Sequence, residues 1–278
     1  MKKSQLILIV AGILAVVGLY ALPKVVVDNE ATGAKMESAT EEESEDPQAP
    51  GITALHGNEL SAENRKQADQ LKQMYANAAE KEEKVAAAQV LAELYKGEGL
   101  FDSAAYYWSE AADLLPSNLF LAEEAGKASY EAFSFALDKA KVEKLAESTR
   151  AYLNKVLAKN PSRLDLKTKI AMTYISSSNP MQGISMLREI LEQDPQNEDG
   201  LFNIGILSMQ SGQYNKAVER FEELIKYHPD NLQGQFYLGV SYFESKEKNK
   251  AKAQFEAVKK MTEDPMILSS IQSYLDRL

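Results

Sequence analysis

Glu198-Asp-Gly-Leu-Phe-Asn-Ile-Gly-Ile-Leu-Ser-Met-Gln-Ser-Gly-Gln-Tyr-Asn-Lys-Ala-Val-Glu-Arg-Phe-Glu-Glu-Leu-Ile-Lys-Tyr-His-Pro-Asp-Asn231 reads as a helix, a glycine-containing turn, a second helix and a proline-containing turn. The pattern recurs. Gly205 stands 34 residues after Ala171 and 34 before Gly239, and Ala217 stands 34 after Gly183 and 34 before Ala251. Pro161, Pro195 and Pro229 keep the same interval. A fixed period of this length marks stacked helix-turn-helix units, none of which buries its apolar face alone.

The residues at fixed places in each unit sharpen the reading. Small pairs stand at the eighth and twentieth places: Ala92/Ala104, Ala171/Gly183, Gly205/Ala217 and Gly239/Ala251. Large residues stand at the eleventh and twenty-fourth: Tyr95/Trp108, Tyr174/Leu187 and Tyr242/Phe255, with Ser208 departing at the eleventh while Phe221 complies at the twenty-fourth. Pro116, Pro161, Pro195 and Pro229 close the units, since a proline ring stops a helix and favours the following turn. In these features the chain resembles the tetratricopeptide repeat family over about 85–265. The resemblance implies an all-α, right-handed superhelical solenoid.

Units are expected at 85–118, 119–163, 164–197, 198–231 and 232–265. The second is irregular, since Pro116 to Pro161 is 45 residues, 11 more than the period. No Gly or Pro falls between Lys127 and Asn160, so the extra residues should lengthen two helices into a hairpin near Tyr130–Ser148. Tyr130, Phe133 and Phe135 then either serve as a contact surface or cover the longer helix pair. Residues 61–84 carry Leu71, Met74, Tyr75 and Ala78 on one helical stripe and read as a capping half-repeat, with a single helix through Lys96 as the alternative. At the other end, 266–278 place Ile267, Ile271 and Leu275 on one stripe, as a capping helix does.

Ahead of the array, residues 1–5 are basic through Lys2 and Lys3, and 6–22 form an uncharged run of seventeen residues. As a helix this run reaches about 25 Å, near the thickness of a bilayer's hydrocarbon. The run is longer than a usual signal-peptide core and lacks a good small-x-small cleavage site, which favours an uncleaved anchor over a cleaved signal. Positive residues on one flank and acidic ones on the other put the N-terminus in the cytoplasm and the repeats outside it, in the periplasm of a Gram-negative cell. Residues 23–60 then form an acidic, disordered tether. From 24 to 60 the chain holds two Lys against nine Asp or Glu and too little apolar surface to repay ordering.

Composition narrows the chemistry. A net charge of −10 opposes a nucleic-acid footprint. Cysteine is absent, and the two histidines, His56 and His228, lie far apart, so no metal site or cofactor is expected. No nucleophile elbow, phosphate loop or dinucleotide fingerprint occurs, so no enzyme is expected.

Binding remains. By the resemblance, the fifth, ninth and twelfth places of each first helix face the groove: Thr168, Met172, Ile175; Phe202, Ile206, Met209; Phe236, Val240, Phe243. Eight of these nine are apolar, with Asn203 and Lys169 as polar neighbours. The basic residues of the family's carboxylate-clamp members are mostly missing, which disfavours that mode. The expected peptide-binding groove is Met172, Ile175, Phe202, Asn203, Ile206, Met209, Phe236, Val240 and Phe243, taking an apolar peptide or amphipathic helix from a partner protein. The competing expectation is that these residues are covered from within, by the capping helix or by a tight superhelical turn. The function expected is a membrane-anchored, non-catalytic scaffold or assembly factor. The alternative is a self-associating subunit of an envelope complex, joined through the 119–160 hairpin.

Overall fold

The computed structural model describes residues 60–278, and all their regular elements are helices. The expected membrane anchor at 6–22 and the expected tether at 23–60, apart from its last residue Leu60, lie outside the described residues. Among the described residues, no helix is long and apolar enough to cross a membrane. They divide into two compact units, one ending at Gly234 and one running from Gln235 to Leu278.

The first unit holds α1 (Ala62–Asn77), α2 (Lys81–Gly97), α3 (Phe101–Leu114), α4 (Leu119–Phe135), α5 (Lys139–Leu157), α6 (Leu164–Ile175), α7 (Pro180–Gln193), α8 (Glu198–Gln210) and α9 (Tyr214–Tyr227). The helix α10 (Leu232–Glu244) leads into the second unit, which adds α11 (Lys248–Lys259) and α12 (Pro265–Leu275). Between α1 and α2 the chain breaks, because Ala78 and Glu80 adopt extended ψ values of 130° and 146°. Two helices, not one, precede Lys96.

Each turn has a local cause. Within a repeat the first helix ends on a left-handed residue at the fifteenth place: Gly99, Gly212 and Lys246, with φ of 76°, 70° and 68°. The Gln213 N–H donates to the Ser208 carbonyl at 2.8 Å and the Gly212 N–H to that of Met209 at 2.9 Å, the paired bonds of a glycine-terminated helix. Between repeats, an asparagine at the last place caps the next first helix. Asn118 Oδ1 accepts from the N–H groups of Phe120 and Leu121, Asn197 Oδ1 from Gly200, and Asn231 Oδ1 from Gly234. These bonds satisfy donors that a helix N-terminus otherwise leaves open.

Helix pairs cross where side chains are small. A Cβ on Gly205 would meet the Phe221 ring at 2.7 Å, and one on Gly126 would meet Leu153 Cδ2 at 2.4 Å. In the regular repeat these contact residues are sixteen apart in sequence; in the irregular one they are 27 apart. The eleven extra residues therefore lie beyond the crossing, at the hairpin tip, and α4 and α5 run 17 and 19 residues against 12 to 14 in α6 to α9. The tip leans on the α2–α3 turn. Phe135 stacks on Phe101 at 4.6 Å, Glu131 pairs with Lys96 at 3.1 Å, and Lys141 pairs with Asp102. Leu137, at the apex, is 99% exposed.

The core of the first unit runs between paired helices, through Trp108, Leu121, Leu153, Leu166 and Ile170. In the second unit Gly239 abuts the Phe255 ring, and Leu238, Val258, Ile267 and Ile271 are buried. Asp264 caps α12 through the N–H groups of Met266 and Ile267, and Pro265 starts it.

Candidate protein-binding face

The first helices α4, α6 and α8 lie side by side in the first unit, α6 touching both others. On α8 the residues Asp199, Phe202, Asn203, Ile206 and Met209 share one stripe, because spacings of three and four return to the same side of a helix. Phe202, Ile206 and Met209 are half-buried, and the Phe202 ring meets Phe221 edge-on at 6.0 Å. Met172 and Ile175 of α6 are half-buried as well, packed on the cluster of Ala171, Leu187 and Ile190. Thr168 is buried, its hydroxyl donating to the Leu164 carbonyl at 3.0 Å. The Asn203 amide donates to the carbonyl of Asp199 at 2.8 Å, which commits its N–H to its own helix.

Charged side chains border this apolar run. Arg163 grips Glu123 through Nη1 and Nη2 at 3.0 and 2.8 Å, and Asp165 through Nε and Nη2 at 2.9 and 2.8 Å. Lys127 joins Glu123 at 2.5 Å and Glu124 at 3.2 Å. The hydrogen bonds from Arg163 hold both the Glu123 and the Asp165 carboxyls below their ordinary values. Lys169 of α6 lies over the Tyr130 ring of α4 at 5.0 Å. Burial, with added repulsion from Asp199, pushes the Tyr130 phenol up to about 12.

Asp199 differs from its acidic neighbours. It is open to solvent, and its carboxylate makes no hydrogen bond or ion pair among the described residues. Desolvation by the surrounding wall raises its pKa, Lys169 pulls it down, and Glu198 and Asp165 push it further up. Sequence reading missed Asp199 and the Arg163 fork, and it assigned Tyr130 to the hairpin without its place beneath Lys169. The signal available was the period itself, since Asp165 and Asp199 stand 34 residues apart at the second place of their repeats.

The second unit treats its share of the expected groove differently. Phe236 and Val240 are 5% and 1% exposed, and Phe243 is half-buried. Tyr274 of α12 lies against Phe243 and Phe255 at 5.2 Å each and against Phe236 at 6.2 Å, and Arg277 covers the Phe243 ring at 4.9 Å. Tyr274 of α12 thus closes Phe236 and lies over the approach to Phe243.

No cluster of His, Asp or Glu able to hold a metal occurs among the described residues. His228 ties two inter-repeat turns together, its Nε2 at 2.7 Å from the Gln196 carbonyl and its Nδ1 at 3.6 Å from Glu198, while Asn231 donates to the same glutamate at 2.8 Å. This is a turn staple.

Comparison with known proteins agrees with this construction. A family model described as the N-terminal tetratricopeptide repeats of the surface lipoprotein assembly modifier matches residues 155–255. Among solved structures, a tetratricopeptide repeat protein from Parabacteroides merdae is similar at 18% identity, covering 76% of this chain and 78% of that one, with a TM-score of 0.56. A thermophilic repeat protein of Thermus thermophilus is similar at 14% identity, covering 69% and 98%, with a TM-score of 0.51. No protein in the curated set matches. Residues 155–255 thus match a tetratricopeptide repeat model, and the described residues share the tetratricopeptide repeat fold.

Proposed function

We propose that this chain is a non-catalytic scaffold, held at a membrane by its N-terminal segment, that binds apolar peptide or helix segments of partner proteins outside the cytoplasm. The observation that carries the reading is the run of half-buried apolar side chains Met172, Ile175, Phe202, Ile206 and Met209 on adjoining first helices. Methionine and phenylalanine adapt to varied apolar partners, and a continuous surface of this kind is unusual without a use. The uncharged segment 6–22 behind Lys2 and Lys3 supports membrane attachment. The family match to a protein named as a surface lipoprotein assembly modifier is in keeping with a role in the cell envelope.

Site-specific photo-crosslinking in cells tests the reading, with the probe at Phe202 or Met209 and a control at the exposed Glu219 of α9. A discrete partner adduct from the first two positions alone is the expected result. The same adducts from Glu219, or adducts only within the chain itself, would overturn it.

The second reading is a self-associating subunit, and the fully exposed Leu137 at the hairpin tip favours it. Mass measured against concentration decides it. Association that Leu137→Asp abolishes would support this reading, and a monomer at all concentrations would end it.

A further inference from the structure

Around the apolar run, the acidic side chains differ in one respect. Glu123 is held by Arg163 and Lys127, Glu124 by Lys127, and Asp165 by Arg163. Lys169, whose charge acts on Asp199, sits over the Tyr130 ring. Asp199 thus makes no direct ion pair among the described residues, although the charge of Lys169 reaches it, and it shares the helical stripe of Phe202, Ile206 and Met209. Asp199 to Ile206 spans seven residues of helix and Asp199 to Met209 spans ten, or about 10 and 15 Å at 1.5 Å per residue. An extended peptide covers these distances in about three to five residues.

We propose that the partner segment is amphipathic and basic, seating apolar side chains on Phe202, Ile206 and Met209 and a lysine or arginine, three to five residues away, on Asp199. The inference rests on the binding face proposed above and adds the charge and spacing of its ligand. Its physical basis is charge complementarity. A cation supplied by the ligand pairs with a carboxylate that makes no hydrogen bond or ion pair among the described residues. The ordinary reading of an acidic residue in the first turn of a helix is that it stabilises the helix dipole. That reading needs no ligand, and the test separates the two.

The experiment is selection of twelve-residue peptides from a random displayed library on the full chain in detergent micelles, followed by anisotropy titration of the selected peptides. Wild-type protein should enrich apolar peptides carrying Lys or Arg three to five residues from an apolar anchor. Asp199→Asn should weaken such a peptide about tenfold, equivalent to about 1.4 kcal/mol, while a Lys→Gln version of the peptide should bind both proteins equally. Apolar peptides selected without a basic preference, or binding untouched by Asp199→Asn, would overturn this inference and leave the binding face standing. Peptides whose binding survives Phe202→Glu and Met209→Asp would sink the binding face as well. Photo-crosslinks from Phe202 to another copy, or to the chain's own segments, would give the face a self-ligand and also overturn the proposal.

Discussion

Gly183 on α7 lies directly against the backbone of α6. A Cβ there would come within 2.3 Å of the Ala171 carbonyl oxygen, 2.6 Å of Ile175 Cγ1 and 2.9 Å of the Ile175 nitrogen. The eighth and twentieth places of the repeat meet here, and their smallness sets how closely its two helices approach. Two effects oppose each other in Gly183→Ala. Helix propensity favours alanine by about 1 kcal/mol, but the obstruction is backbone, which cannot swing away as a side-chain tip can. Overpacking of this kind costs about 1–3 kcal/mol, so the variant should be destabilised in a urea melt. Gly97, with nothing within 4 Å of its Cβ, provides the control, and Gly97→Ala should be neutral or mildly stabilising. A stable Gly183→Ala would mean that the two helices separate freely.

The asparagine caps make a second prediction. Asn197 Oδ1 accepts from the Gly200 N–H at 2.9 Å at the start of α8. Asn197→Ala should cost about 1 kcal/mol, read from the midpoint of denaturation, and Asn197→Asp or Asn197→Ser should restore most of it. Equal stability of Asn197→Ala and wild type would show that water caps α8 as well as asparagine does.

Much of this fold was legible because a repeat writes each constraint several times. The eighth-place residue recurs as Ala92, Ala171, Gly205 and Gly239 because every unit has the same crossing to make. Legibility failed where the insertion hid the register. Gly126 also fills an eighth place, but its contact Leu153 lies 27 residues on rather than sixteen, so the period did not reveal the pair. The binding face was only half legible, for a different reason. Period marks which side of a helix a residue takes, yet Phe202 and Phe236 hold the same fifth place and differ in surroundings. The first lines an accessible stripe, while the second lies beside Tyr274, whose part in that core no repeat-based count assigns.

A third prediction concerns Lys246. Gly99 and Gly212 occupy the left-handed turn position of their repeats, and at the same place Lys246 holds φ of 68°. A side chain there costs about 1–2 kcal/mol, and part of this returns when glycine enlarges the unfolded ensemble. Lys246→Gly should therefore raise stability by about 0.5–1 kcal/mol, visible as a higher melting temperature. A lower one would mean that the lysine side chain contributes more than its backbone strain removes.

The Arg163 fork gives a pH dependence. Hydrogen bonds from Arg163 depress the Glu123 and Asp165 carboxyls in the folded state. Groups depressed on folding stabilise the protein above their unfolded values, near 4, and that stabilisation is lost as pH falls through the folded values. Arg163 is over a third exposed, so solvent screens the pairs and the contribution at pH 7 is about 0.5–1 kcal/mol. Wild type should exceed Arg163→Met by that margin at pH 7, and the two should converge below pH 3. A gap that persists unchanged at pH 2 would assign the effect to packing of the arginine stem instead.

Tyr274 decides whether the inner positions of the last repeat are permanently core. Its ring stacks on Phe255 at 5.2 Å and 17°, and meets Phe243 and Phe236 edge-on. Burial raises its phenol pKa, helped by Glu244 and opposed by Arg277. Removing a half-buried ring with three aromatic neighbours should cost about 2–3 kcal/mol, below the range for a fully buried aromatic. Tyr274→Ala should therefore loosen α12 from α10 and α11, speeding amide exchange in 235–278 and admitting an apolar dye to Phe236 and Val240. Tyr274→Phe keeps the ring and should change neither. If Tyr274→Ala leaves exchange and dye binding as in wild type, then Ile267 and Ile271 hold α12 by themselves, and the last repeat's inner face stays closed to any partner.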